Sequence, residues 1–377
     1  MFWLILAALV LLALLTRFWL SGSNHSHLDA PLPDCPPATP DEAQRSVLER
    51  LAEFNRMERN LPFRQRVEAM RQMLDQLGDG KTFKAHFRPL VTCDAHGHSL
   101  DGEWVMADGA DPDRRLLYVH GGAWMAGSAY SHRTITSRLS ELTGMAVFAV
   151  NYRLFPEHRF HQGLADCQQA YRWLLTNGPH GPAPLTSMVI AGDSAGGSHT
   201  LALLAWARDH RLRPADAAVA LCPSTDLSFT SPSLRANLAS DPMLGPAFGA
   251  LTRVPRPLLY WGLWLLARVR PADPAVSPLQ DSLANLPPTL IQVSETEMLL
   301  DNARRYARKA ERAGSPIELQ TWPHMVHVWH FFTPELPQAE EAFRNIASFL
   351  ASTVPASPGT KNSASLADTS RPSGAIL

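Results

Sequence analysis

Ser194 stands in Gly192-Asp193-Ser194-Ala195-Gly196, after the apolar run Met188-Val189-Ile190-Ala191 and before a helix-like stretch from Gly197 to Arg208. A G-x-S-x-G pentapeptide between a strand and a helix is a nucleophile elbow. The turn forces the serine into a strained backbone conformation, and flanking glycines leave room for the chain to reverse. It would place a serine oxygen at the carboxyl edge of a sheet, against a helix N-terminus that favours developing negative charge.

Upstream, His120-Gly121-Gly122-Ala123-Trp124 ends a second apolar strand, Leu116-Leu117-Tyr118-Val119. Acyl transfer through a serine generates a tetrahedral oxyanion, which needs backbone N–H donors aimed at it. Paired glycines allow the backbone to approach a substrate closely. The amides of Gly121 and Gly122, with that of Ala195, are the expected oxyanion hole. An ordinary glycine turn after a strand is the plainer reading of HGGAW taken alone.

With both motifs in place, the chain resembles the hormone-sensitive-lipase-like branch of the α/β-hydrolases, the carboxylesterase and lipase group marked by HGGGW and GDSAGG. Asn151-Tyr152-Arg153-Leu154-Phe155-Pro156-Glu157-His158 is similar to that group's DYRLAPEH segment, with Asp166 as the acidic residue beyond it. Ser277-Pro278-Leu279 and Leu286-Pro287-Pro288-Thr289-Leu290-Ile291 resemble it too, so the similarity covers residues 86–350. The third glycine of HGGG is Ala123 here.

A serine nucleophile needs a base, and the base needs a group that orients it. In such folds the chain order is serine, acid, histidine. Ser294-Glu295-Thr296-Glu297-Met298-Leu299-Leu300-Asp301 follows the strand Thr289–Val293, where the resemblance implies D-P-L-x-D and places Glu297 at the catalytic acid. Asp301, implied to be a structural residue heading the next helix, and Glu295 are the rivals. The resemblance also implies His327 as the base within Pro323-His324-Met325-Val326-His327-Val328-Trp329-His330-Phe331, leaving His324 and His330 as loop or helix-start residues. Neutral His327 would take the Ser194 proton, Glu297 would hold the imidazolium, and an acyl-enzyme would form and be hydrolysed. Activity should then fall on acidification around the unperturbed histidine value of about 6.5 unless the site shifts it.

The scaffold follows from the rest of the chain. Its 377 residues suit one large α/β domain with additions, and a net charge of −1 argues against nucleic-acid binding through a basic face. Eight strands are expected to begin near Phe87, Glu103, Arg115, Ala146, Ser187, Ala217, Thr289 and Ile317, with helices at 166–177, 301–313 and 336–352. The alternation implies a mostly parallel eight-stranded sheet with helices on both faces.

Residues 39–85 carry two amphipathic helices, which the resemblance implies form a cap over the active site; an added helical layer is the alternative. Thr39-Pro40-Asp41-Glu42 reads as an N-cap, an N1 proline and an N3 glutamate completing a capping box. Val47, Leu51, Phe54 and Met57 form one apolar face; Val67, Met70, Leu74 and Leu77 form the other, stopped by Gly78. Residues 255–270, rich in leucine and tryptophan but flanked by arginine, are too short for a membrane span and read as a core or cap helix, with a helix lining an acyl pocket or touching lipid as the alternative.

Residues 1–21 are apolar up to Leu15 and end in Arg17, Phe18, Trp19 and Leu20. An uncleaved single-pass anchor is the favoured reading, with Arg17 snorkelling and Trp19 at the interface. A cleaved secretory signal is the alternative, since Ser21-Gly22-Ser23 would pass as a cleavage site, although no positive side chain precedes the apolar run. Residues 22–38 read as a linker, 86–352 as the catalytic domain and 353–377 as a disordered tail. Cys35, Cys93, Cys167 and Cys222 show no metal or redox spacing, so no cofactor or metal is expected. Trp124, Asp193 and Trp329 are candidate substrate-pocket residues. The expected activity is hydrolysis of short-to-medium acyl esters; a lactone or amide hydrolase with the same triad, or a ligand-binding protein on an inactive scaffold, are the alternatives.

Overall fold

The computed structural model describes residues 1–354 except Pro37, residues 94–96 and His98. Most of the expected tail therefore lies outside the described residues. The strands are β1 (Ala85–Cys93), β2 (Ser99–Ala107), β3 (Asp111–Val119), β4 (Met145–Val150), the two-residue pair β5 (Asn177–Gly178) and β6 (Gly181–Pro182), β7 (Ser187–Asp193), β8 (Ala217–Leu221), β9 (Thr289–Ser294) and β10 (Ile317–Trp322). All eight expected strands join one sheet in the order β1-β2-β4-β3-β7-β8-β9-β10. β2 alone runs opposite to the other seven strands. The small β5–β6 ribbon carried no sequence signal.

β4, β7, β8 and β9 are buried along their whole length, as strands covered on both faces must be. In β4, Ala146, Phe148 and Val150 enter one core layer while Met145, Val147 and Ala149 enter the other. The first layer is closed by α5 (Phe160–Leu174), α6 (Ser194–Asp209) and α10 (Leu300–Arg312). The second is closed by α4 (Arg133–Thr143) and α11 (Pro337–Thr353). α5 begins and ends earlier than expected, and Asp166 lies inside it, accepting hydrogen bonds from Arg153 N and Nε. It ends at Leu174, and the Asn177 side chain donates to the Trp173 carbonyl beyond that end.

Before the sheet come α1 (Phe2–Leu15), extended by one wider helical turn over Thr16–Leu20, then α2 (Glu42–Glu58) and α3 (Phe63–Gln76). The capping box sits two residues later than expected. Asp41 accepts the Gln44 amide at 2.8 Å and Gln44 Oε1 accepts the Asp41 amide at 3.1 Å. A charged Asp41 suits the positive helix end better than Thr39 does. Val47, Leu51, Val67 and Leu74 are buried as expected, whereas Met57 is exposed and Glu58 is buried in its place. Arg71 on α3 donates to the Met125 and Phe155 carbonyls and pairs with Glu157, and Phe63 meets Phe155 edge-on. The Asn55 side chain donates to the Pro242 carbonyl. α2 and α3 thus lie over loops at the carboxyl edge of the sheet.

Residues 20–31 are docked rather than a free linker. The Leu20 carbonyl accepts from Ala272 N, Ser23 N donates to Gln280, Leu28 is buried in the core, and Asp29 forms a paired contact with buried Arg305. Three further short helices fill the segment after β8: α7 (Ser233–Ala236), α8 (Leu244–Phe248) and α9 (Arg256–Ala267).

Candidate active site

The strand order reverses around β3, which lies between β4 and β7. Loops leaving β3 and β7 therefore diverge at a topological switch point, where open α/β sheets hold their ligands. Val119 pairs with Gly192 across β3 and β7, so His120-Gly121-Gly122 emerges beside Asp193-Ser194. At the elbow Ser194 has φ +52°, the left-handed strain expected of such a turn, and it begins α6. Its side chain remains partly exposed while Asp193 and Ala195 are buried.

β8 and β9 pair as far as Leu221 and Gln292, and β9 and β10 as far as Ser294 and Trp322. The loops carrying Glu297 and His327 leave from that same edge. His327 Nε2 lies 2.9 Å from Ser194 Oγ, and its Nδ1 lies 2.8 Å from Glu297 Oε2. With the Nδ1 proton donated to Glu297, Nε2 is an acceptor for the serine hydroxyl. Glu297 is fully buried, and burial raises its pKa above the ordinary carboxylate value. Burial alone would lower the His327 pKa, but the Glu297 charge and hydrogen bond outweigh it and leave the ring above 6.5.

The rivals lie elsewhere. Asp301 accepts the Ser233 amide and pairs with Arg304 in the first turn of α10, and the Glu295 side chain accepts from Thr321. His330 is buried against Gln292 with its pKa lowered to about 3 by burial, and His324 lies beside Cys35.

Gly121 departs from expectation. Its amide donates to Asp193 Oδ1 at 3.0 Å, so it points into the protein and not toward Ser194. Asp193 also accepts from Tyr118 Oη at 2.6 Å, and His132 Nε2 lies 3.3 Å away. Burial opposes the charge on Asp193; His132 and these hydrogen bonds outweigh it and hold its pKa below the usual carboxylate value. A Cβ on Gly121 would stand 2.1 Å from Asp193 Oδ2, which explains the glycine by close approach. Gly122 has φ +106°, and a Cβ there would meet the Ala126 carbonyl at 2.2 Å. Among the described residues the amides of Gly122 and Ala123 have no protein acceptor. Ala195 is the second residue of α6, where amides have no intrahelical partner.

Of the three expected pocket residues, two are structural. Asp193 lies behind the oxyanion loop, and Trp329 is fully buried between Trp322 and His330. A residue next to a buried histidine cluster gave no periodicity from which that burial was readable. Trp124 is buried as well, at 8% exposure, and packs beside Phe160 and His199. A cavity of about 330 Å³ lined by Leu238, Asp241, Pro242 and Arg253 includes neither Ser194 nor His327, so it is not the reaction centre.

Sequence reasoning did not single out Tyr118, His132, Arg71 or Asp241, which accepts the Met298 amide beside Glu297. Each acts through a long-range contact that no local pattern announces. Cys222 Sγ lies with Glu297 and His327 within 4.8 Å, a grouping with metal-ligand character. Glu297 and His327 are already paired to each other there, and burial keeps the Cys222 thiol protonated by raising its pKa.

A family model described as the alpha/beta hydrolase fold matches residues 116–331. An acetyl-hydrolase of Streptomyces hygroscopicus is 38% identical over 254 residues, 67% of this chain and 80% of that protein. An esterase of Acinetobacter venetianus is 32% identical over 289 residues, 75% of this chain and 88% of that protein. The crystal structure of an esterase from the bacterial hormone-sensitive lipase family superposes with a TM-score of 0.70 at 32% identity, covering 84% of this chain and all of that one. The chain belongs to the α/β-hydrolase family, in its hormone-sensitive-lipase-like branch, and is a carboxylesterase-type hydrolase.

Proposed function

We propose that the protein cleaves short-to-medium acyl esters through Ser194, His327 and Glu297. The observation that carries this reading is the unbroken hydrogen-bonded line from Ser194 Oγ through His327 to Glu297, with separations of 2.9 and 2.8 Å. His327 Nε2 takes the serine proton as Oγ attacks the ester carbonyl, and the imidazolium is held by Glu297. The amides of Gly122, Ala123 and Ala195 receive the oxyanion; Ala123 replaces Gly121 because the Gly121 amide is committed to Asp193. The imidazolium then protonates the leaving alcohol, and water activated by the same ring releases the acid.

The two relatives named above are called acetyl-hydrolase and esterase, which supports a short acyl group. Trp124, against Phe160, is the candidate wall of the acyl site. Residues 2–20 form the one helix among the described residues long and apolar enough to cross a membrane. We read it as an uncleaved anchor.

Hydrolysis of p-nitrophenyl esters from acetate to palmitate, by the wild type and by Ser194→Ala, tests the reading. Activity that is highest on the shorter acyl chains and absent from the variant supports it. A folded wild-type protein inert on every ester, or a variant as active as the wild type, overturns it.

A further inference from the structure

α9 is apolar around its whole circumference. Leu259, Tyr260 and Ala267 turn inward, and Leu263 is half-buried beside them. The opposite face carries Leu258, Leu265 and Leu266, which are 67%, 57% and 83% exposed. Helices hydrophobic on all sides belong in a core or in lipid, and an exposed apolar patch on a folded domain marks a contact surface.

This face does not stand alone. The end of the apolar N-terminal helix packs directly on α9: Thr16 Oγ1 accepts from Trp261 Nε1 at 2.8 Å, and the Trp19 ring meets Trp261 and Trp264. Leu20 is buried against Leu259 and Tyr260. Phe18 is exposed beside them. Three tryptophans thus gather where an apolar helix reaches the domain, the side chain favoured at a bilayer interface.

The charge around this patch has one sign. No acidic residue occurs in residues 1–28 or 242–272, whereas Arg17, Arg253, Arg256, Arg268 and Arg270 all do. Among the described residues, Arg17, Arg253, Arg256 and Arg268 form no ion pair; Arg270 lies 3.5 Å from Asp273. Arg268 and Arg270 sit over the Trp264 and Trp19 rings. An apolar patch whose neighbouring chain segments carry five arginines and no acidic residue complements an anionic lipid surface, with leucines among the acyl chains and guanidinium groups at headgroup level.

We propose that α9 and the end of the N-terminal helix form one membrane-docking surface that lays the catalytic domain on an anionic bilayer. Buried packing links α9 to the reaction centre. Ala267 and Val269, at the end of α9, pack with Phe155 and Phe160, and Phe160 lies against Trp124, next to Ala123 of the oxyanion loop. The substrates reached from this position are esters dissolved in the bilayer, a consequence that rests on the ester-hydrolase reading.

The test uses the full chain in vesicles of phosphatidylcholine and phosphatidylglycerol. A nitroxide is placed at Leu266→Cys, with Cys35 and Cys93 replaced by serine, and native Cys93, exposed on β1, is labelled in a second protein with Cys35 replaced. Collision with oxygen and with a water-soluble nickel chelate then reports depth. The proposal expects the label at position 266 to favour oxygen and the label at Cys93 to favour nickel. A position-266 label as open to nickel as Cys93, or one shielded from both reagents by a second copy of the chain, overturns it.

The substrate consequence is read separately with Leu258→Glu, Leu265→Glu and Leu266→Glu combined. Hydrolysis of water-soluble p-nitrophenyl acetate should persist, showing a folded site. Hydrolysis of the acetate ester of a long-chain alcohol, dissolved in the vesicles, should fall about tenfold, in step with lost partitioning. Undiminished cleavage of the vesicle ester overturns the access route. Failure of the wild type on both esters overturns the hydrolase reading and leaves the depth measurement standing.

Discussion

Asp193 and Gly121 are joined across the central strands: the carboxylate of the residue before the nucleophile accepts the amide of the first glycine after β3, at 3.0 Å. The contact locks the elbow to the oxyanion loop, and it turns the Gly121 amide away from the space above Ser194. The same carboxylate receives Tyr118 Oη, so one buried charge organises two loops.

Asp193→Ala should therefore damage catalysis through geometry. It leaves the Gly121 amide and the Tyr118 hydroxyl buried without their acceptor, about 1–3 kcal/mol for each group. With the oxyanion loop loosened, kcat should fall about 100-fold, the scale of one lost oxyanion donor, with KM less affected. Asp193→Asn, which keeps an acceptor oxygen, should recover much of the loss. Steady-state kinetics on one short p-nitrophenyl ester decides the matter, and equal kcat in wild type and Asp193→Ala would sink the idea.

The pH profile follows from the direction of the His327 shift. The ring must be neutral to accept the serine proton, and its pKa is raised by Glu297 above the ordinary value. Activity should be full at alkaline pH and lost on acidification, with the midpoint of the acid limb above about 6.5. Glu297→Gln removes the attracting charge, so any residual activity should show its acid limb at lower pH than the wild type. A kcat/KM profile from pH 5 to 9 measures both.

Glu297 and Asp301 can be told apart by substitution. Glu297→Gln, which disturbs the tautomer of the base, should lower kcat by about 10³–10⁴-fold. Glu297→Asp retains the charge on a shorter arm and should fall between that variant and the wild type. Asp301→Asn touches the Ser233 amide at the start of α10 and should lower stability with kcat nearly unchanged. Rates and melting temperatures of the three variants, taken together, assign the acid.

Arg305 is almost completely buried and is held by Asp29 through Nε and Nη2, at 2.6 and 3.0 Å. Asp29→Ala leaves that guanidinium facing only Thr230 and Asp226, the latter 3.8 Å away. The loss should approach about 3 kcal/mol, the low end for breaking a buried pair, because Asp226 compensates in part. A lower melting temperature with unchanged activity on a short soluble ester is the expected outcome, and an unchanged melting temperature would show that the Asp29–Arg305 pair contributes nothing to stability.

Features written in local pattern are legible in the residues alone. Continuous apolar runs such as Met145–Val150 and Met188–Ala191 mark strands buried on both faces, because a parallel sheet covered by helices has no solvent side. The elbow around Ser194 and the glycines after Val119 are legible because a left-handed φ and a close backbone approach restrict residue type at those positions. Features that depend on partners distant in the chain emerge only once the sheet is assembled. The acidic side chain that meets His327, the binding of the Gly121 amide to Asp193, the burial of Trp329 and the docking of residues 20–31 on Arg305 and Gln280 all rest on contacts between segments brought together by β-strand order and register. Side-chain type records that a carboxylate or an amide is available; only the packed sheet sets the distance at which it finds its partner.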